Sequence, residues 1–162
     1  MTGSNPLGSE FSRADDSTGL ILWQVTNSWQ AAQRAALKPF GLTHVQFVLL
    51  AALTWMEAAG PMTQSDLAAH VRTDPMMTSQ VLRALETRGL LRRRPHPSDS
   101  RARAVTVTPE GADLARRANA AVEDTDRRFF SPLASGRADF TAMLRDLASA
   151  AGPAVNSSLP GE

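Results

Sequence analysis

The chain has 162 residues, 43% of them hydrophobic and 20% charged, with a formal net charge of +1. That length fits one domain able to bury a core of its own, or to share one through long terminal helices. Cysteine is absent, which excludes disulfides, thiol-based oxidant sensing and Cys-ligated zinc, and His44, His70 and His96 stand too far apart for metal-ligand spacing.

Residues 1–16 are polar, Gly/Ser-rich and without periodicity, and Leu7-Gly8-Ser9-Glu10-Phe11 has the form of a cloning remnant; this segment is expected to be disordered. From Ser17 or Thr18, either able to cap, a helix is predicted to about Leu37. Its apolar positions Leu22, Val25, Trp29, Ala32 and Ala36 repeat every three or four residues, a narrow seam suited to packing on another helix. Lys38-Pro39-Phe40-Gly41 ends it. Thr43-His44-Val45-Gln46 then has the capping-box pattern, in which the threonine hydroxyl accepts from the N–H three residues on and Gln46 reaches back. The helix that follows, through Leu50, Leu53, Trp55 and Met56, is apolar nearly all round and should be central; Gly60-Pro61 stops it. Its longest apolar run, Val45–Leu53, is short of the roughly 18–20 residues of a membrane span, and no secretion-signal pattern precedes it, so a cytoplasmic, nucleoid-associated protein without a membrane partner is expected.

Thr63 is placed to cap a short helix with Asp66 at its third position, and Val71–Asp74 makes a turn. Asp74 caps the next helix, with Pro75 at the first helical position where its missing N–H costs nothing. Spacing puts Thr78, Val81, Leu82 and Leu85 on the core face and Met76, Ser79, Gln80 and Arg83 opposite, with Met77 at the edge. A face with one charge in its first two turns suits a groove better than bulk water. Gln80 is able to pair bidentately with adenine, and Arg83 with guanine or a phosphate.

Gly89 ends this helix. Leu90–Arg94 and Arg103–Val107 have strand character, joined by a tip from Pro95 to Ala102. Between Arg83 and Arg103 there are seven arginines against Glu86 and Asp99, a local excess of positive charge that is the footprint of nucleic-acid contact. An arginine-tipped hairpin without its own core suits a narrow minor groove, and Asp99 stands two residues before Arg101, placed to hold its guanidinium. His96, Ser98 and Asp99 share the tip, but a loop between two prolines offers no rigid scaffold or oxyanion site for a catalytic triad, so no enzyme is expected. Two helices, a tight turn and a basic hairpin together read as a winged helix-turn-helix. Its DNA-facing candidates are Met76, Met77, Thr78, Ser79, Gln80, Arg83, Arg94, Ser98, Asp99, Arg101 and Arg103, Thr78 being shared with the core face. Thr108-Pro109-Glu110-Gly111 opens a long helix to about Phe130, with a seam of Leu114, Ala118, Ala121, Val122, Thr125 and Phe129. A final amphipathic helix spans residues 136–151 through Phe140, Met143, Leu144 and Leu147, and the tail after Gly152 is expected to be flexible.

The run from Asp74 to Glu86, the Arg88-Gly89-Leu90-Leu91 junction, Asp99-x-Arg101 at the tip and Val105-Thr106-Val107-Thr108-x-x-Gly111 together resemble the MarR family of bacterial transcriptional regulators, over residues 17–151. The resemblance implies a mainly α fold with a small β-hairpin wing: a DNA-binding lobe over residues 42–108, and a dimerisation region from residues 17–37 and 109–151. It implies a homodimer that represses from a pseudo-palindromic double-stranded operator, with the helix from Pro75 in the major groove and Arg101 in the minor groove. It also implies a small, often aromatic effector between the lobes, near Trp29, Gln33, His44, Phe47 and Trp55, and no cofactor. A non-specific architectural DNA binder and a wing used for protein contacts are the alternatives; sequence preference and steep salt dependence of duplex binding separate them.

Overall fold

The structure, a computed structural model, describes residues 6–56 and 60–152. The expectation of disorder for residues 1–5 and for the tail from 153 lies outside these residues; within residues 6–16, Ala14–Asp16 forms a 3-10 turn. Among the described residues, six α-helices and three short strands follow in the order α1 (Thr18–Leu37), α2 (His44–Met56), β1 (Met62–Thr63), α3 (Gln64–Val71), α4 (Pro75–Thr87), β2 (Leu91–Pro95), β3 (Arg103–Val107), α5 (Pro109–Phe129) and α6 (Arg137–Ala150). No single helix among the described residues is long and apolar enough to cross a membrane.

Helix starts are fixed by local side chains, as the sequence indicates. Ser17 accepts from the N–H of Leu20, and Thr43 and Gln46 exchange both bonds of a capping box. Thr63 and Asp66 do the same at α3, and Asp74 accepts from Met77 N–H at 2.8 Å to open α4. The turn between α3 and α4 is tight because Arg72 adopts a left-handed conformation (φ 55°), letting Thr73 N–H reach back to Ala68 C=O and Arg72 N–H to Ala69 C=O. The same closure recurs after α4: Gly89 (φ 72°) lets Leu90 N–H bond Leu85 C=O, which turns the chain into β2.

The core lies on α2, whose Phe47, Leu49, Leu50 and Leu53 are buried against α1, α3, α4 and α5. Leu67, Leu82, Leu85, Leu91, Val105 and Val107 close it from the DNA-binding side, and Ala112, Ala115, Ala118 and Val122 from α5. Each large apolar side chain so buried contributes about 1.5–3 kcal/mol relative to exposure. Small residues on α5 bring its backbone close to α1 and α2. The sheet holds three strands in the order β1-β3-β2, all antiparallel, where the sequence suggests only a hairpin. The extra strand, Met62–Thr63 against Ala104 and Val105, anchors the root of the wing to the start of α3.

The terminal helices are incompletely covered. Trp29, Ala32 and Ala36 of the α1 seam lie half-buried along α5, but Leu22 and Val25 nearer the start are exposed with Ile21 and Trp23. After a 3-10 segment, Ser131–Gly136, the beginning of α6 is held by Phe140 against Phe130. Every residue of α6 from Thr141 to Ala150 is exposed, including Met143, Leu144 and Leu147.

Candidate nucleic-acid interface

Helix α4 presents two faces of opposite character. Thr78, Leu82 and Leu85 are buried, whereas Met76 is 75% exposed and Met77, Gln80 and Arg83 are also exposed, with Ser79 half-buried beside them. Thr78 is therefore corrected as a groove candidate. It has no exposed surface, its hydroxyl donates to Asp74 C=O at 2.8 Å, and the same oxygen lies 2.8 Å from the Thr73 hydroxyl. Its work is to hold the helix start to the turn, which aims Met76, Met77, Ser79, Gln80 and Arg83 outward.

The wing is a two-stranded ribbon with Arg92 opposite Thr106, Arg93 opposite Val105 and Arg94 opposite Ala104. Alternation turns Arg92 and Arg94 away from the core side occupied by Leu91 and the half-buried Arg93. At the tip, His96 N–H donates to Ala102 C=O, and Ala102 N–H to Asp99 C=O. Asp99 does hold Arg101, but through the backbone. Its carboxylate accepts the Arg101 N–H at 2.9 Å, so the expected grip on the guanidinium is corrected, and the Arg101 residue is exposed on a shaped loop. Ser98 Oγ lies 3.1 Å from His96 Nδ1, and Ser98 N–H also faces that nitrogen. With Asp99 committed to Arg101, this trio has no acid-base-nucleophile order.

Two of the seven arginines are engaged inside the fold. Arg93 binds Glu86 on α4, and Arg88 Nη1 donates to Gly41 C=O in the α1–α2 connection at 2.8 Å. Arg83, Arg92, Arg94, Arg101 and Arg103 remain exposed on α4 and the wing, Arg92 and Arg94 on one face of the ribbon and Arg103 on the face of Arg93. Arg92 was absent from the sequence-derived candidates, although strand alternation alone places it with Arg94.

Of the effector candidates, four gather where α1, α2 and α5 meet. Trp29 Nε1 and Gln33 Nε2 both donate to one Asp126 oxygen, at 2.8 and 2.6 Å, and the Trp29 ring meets the His44 ring edge-on at 5.0 Å. Phe47 is buried in the adjoining core. Gln33 has no exposed surface, and its Oε1 has no hydrogen-bond partner among the described residues. Burial pushes the His44 imidazole below its ordinary pKa, Asp126 opposes that shift and Arg34 adds to it. Trp55 is the correction. It lies on the same stripe of α2 as His44 but three turns on, about 16 Å along the axis. It is 87% exposed and borders a different groove with Thr54, Arg116 and Glu123. Asp126, which organises the cluster, was missed. No local pattern signals it, because its partner Gln33 stands 93 residues away in the chain.

Comparison with known proteins agrees with this geometry. The MarR family model matches residues 42–102. The HTH-type transcriptional regulator YdcH of Bacillus subtilis is 40% identical over 140 residues, spanning 86% of this chain and 95% of that protein. The HTH-type transcriptional repressor Rv2887 of Mycobacterium tuberculosis is 36% identical over 138 residues, 84% of this chain and 97% of that protein. Among solved structures, CouR from Rhodococcus jostii RHA1 bound to p-coumaroyl-CoA is 27% identical, with a TM-score of 0.74 over 94% of this chain and 99% of that one.

Proposed function

The chain belongs to the MarR family of DNA-binding transcriptional regulators, and on that premise we propose that it acts as a repressor, binding a pseudo-palindromic operator in the cytoplasm as a homodimer and releasing it to a small aromatic effector. The observation that carries the DNA reading is the exposed face of α4 together with five exposed arginines on that helix and the adjoining wing. In this reading Met76, Met77, Ser79, Gln80 and Arg83 meet base edges and phosphates in the major groove. Arg92, Arg94 and Arg103 run along the backbone, and Arg101, on a tip shaped by Asp99 and Ser98, enters the minor groove.

The homodimer is supported by apolar side chains left open at both ends of the chain, on α1 and α6. Repression is supported by the likeness to Rv2887, named as a repressor. An aromatic effector is supported by CouR and its bound p-coumaroyl-CoA, together with the free Gln33 acceptor beside the Trp29 and His44 rings. A ligand placed there touches α1, α2 and α5 at once. Movement of α2 against α1 and α5 changes the separation of the two α4 helices in the dimer, which a duplex of fixed pitch does not tolerate.

The test is titration of the dimer onto a duplex selected from a random-sequence library and onto a scrambled duplex, at near-physiological salt. At least a thousandfold preference, on the order expected of specific binders, is the expected result, and equal affinity indicates an architectural binder instead. Arg101→Ala is expected to weaken the selected duplex by about 1–3 kcal/mol per half-site, read by fluorescence anisotropy, and to lower the salt slope. Gln80→Ala is expected to relax base preference at one position of each half-site by about 1–3 kcal/mol while leaving scrambled-duplex affinity nearly unchanged, read by competition with single-base variants.

A further inference from the structure

A wing reads DNA in register with α4 only if the angle between them is fixed, and the hairpin is too small to fix that angle with a core of its own. Three contacts cross from the last turn of α4 to the middle of β2. Glu86 Oε1 accepts the Arg93 backbone N–H at 3.2 Å, while Glu86 Oε2 takes Arg93 Nε at 2.8 Å and Arg93 Nη2 at 2.6 Å. Both side chains are about a quarter to a third exposed, 23% for Arg93 and 34% for Glu86, so the pair is shielded without being cut off from water. The backbone bond touches the strand itself, but only while the Glu86 carboxylate is kept over β2 by the Arg93 side chain. The guanidinium holds the carboxylate in place from the other side, with Nε and Nη2 converging on Oε2.

We propose that Glu86 and Arg93 are a positioning pair that locks the wing to the recognition helix, so that α4 and Arg101 engage one half-site together; this rests on the reading of the chain as a DNA-binding dimer. The sequence alone counts Arg93 with the DNA-facing charge. In the structure its charge is matched by Glu86, whose carboxyl is held below its ordinary pKa chiefly by the Arg93 hydrogen bond. A matched pair displaces few counterions, so Arg93 acts on DNA through the wing and not through a phosphate. This separates it from Arg92 and Arg94, its exposed neighbours on the strand.

The experiment uses the full chain and a duplex selected with the wild-type protein, footprinted with hydroxyl radical for the flanking minor groove and with dimethyl sulfate for guanine N7 in the major groove. Arg93→Ala is expected to lose protection in the flanks, keep it beneath α4, and bind about tenfold more weakly with a salt slope lowered as in Arg101→Ala, because the same wing contact is released. Arg93→Lys, which retains a donor for Glu86, is expected to recover part of the flank protection, and Glu86→Gln, which retains an acceptor for the strand N–H, is expected to fall between. Unchanged flank protection in Arg93→Ala overturns the proposal. So does loss of both protections in step with thermal stability, which makes the pair merely structural, or a salt slope lowered by about one with the flanks still protected, which makes Arg93 a phosphate ligand. If the wild-type chain enriches no duplex, the DNA reading itself fails, and the result is distinguishable because it precedes any variant.

Discussion

Gly111→Ala is expected to destabilise the chain by about 3 kcal/mol or more, lowering Tm on the order of 10 °C. A Cβ at position 111 falls 1.9 Å from Leu90 C=O oxygen, 2.8 Å from its carbon and 3.0 Å from Val107 Cγ2. The carbonyl has little room to retreat, since it already accepts the Thr108 N–H at 3.1 Å. Thr108, itself buried, donates its hydroxyl to Gly89 C=O at 2.7 Å and accepts the Gly111 N–H at 3.1 Å, so one clash loosens the junction of α4, the wing and α5 together. Gly19→Ala is the control: its helical position has open space, and alanine there is expected to stabilise by about 0.5–1 kcal/mol. Thermal unfolding followed by circular dichroism measures both, and a Gly111→Ala chain as stable as the wild type contradicts the close approach.

The second large effect is on assembly. Leu144 and Leu147 lie on one side of α6, 39% and 62% exposed, and touch no core of their own chain. Replacing both by glutamate is expected to leave the circular dichroism spectrum unchanged while sedimentation shifts from dimer to monomer. The charges have no cost on an exposed surface, but buried without partners between two copies each costs several kcal/mol. Loss of the second half-site should weaken binding to the selected duplex by about 10²–10⁴-fold, the advantage of having two linked contacts. A double variant that still sediments as a dimer and binds as tightly removes α6 from the interface.

What was legible in the sequence was the part governed by local chemistry. Thr43 with Gln46, Thr63 with Asp66, and Asp74 before Pro75 announce their helices, because a capping side chain and the N–H it serves are three residues apart. Spacing along α4 likewise separates Leu82 and Leu85 from Gln80 and Arg83. The features that were not legible depend on partners far along the chain. β1 is two residues long, too short for a period, and exists because β3 passes beside it. Trp55 looks like core by composition, yet the helices that cover α2 leave its position open. Arg88 and Arg93 resemble their neighbours in the basic run, and only the fold brings Gly41 and Glu86 against them. Asp126 is 93 residues from Gln33, so no local pattern links the two. Thr-x-x-Gly at Thr108–Gly111 was visible as a motif, but its reason, the approach to Leu90, required the third dimension.

The proposed dimer places two copies of this lobe at a fixed separation on one duplex. Its most direct test is to insert about 5 bp between the half-sites of the selected duplex, half of the roughly 10-bp helical turn, which rotates one site to the far side of the axis. Affinity is expected to fall to that of scrambled DNA and to return in part when a full turn of about 10 bp is inserted. Affinity unchanged by the half-turn insertion would contradict it, because each lobe would then be reading DNA alone.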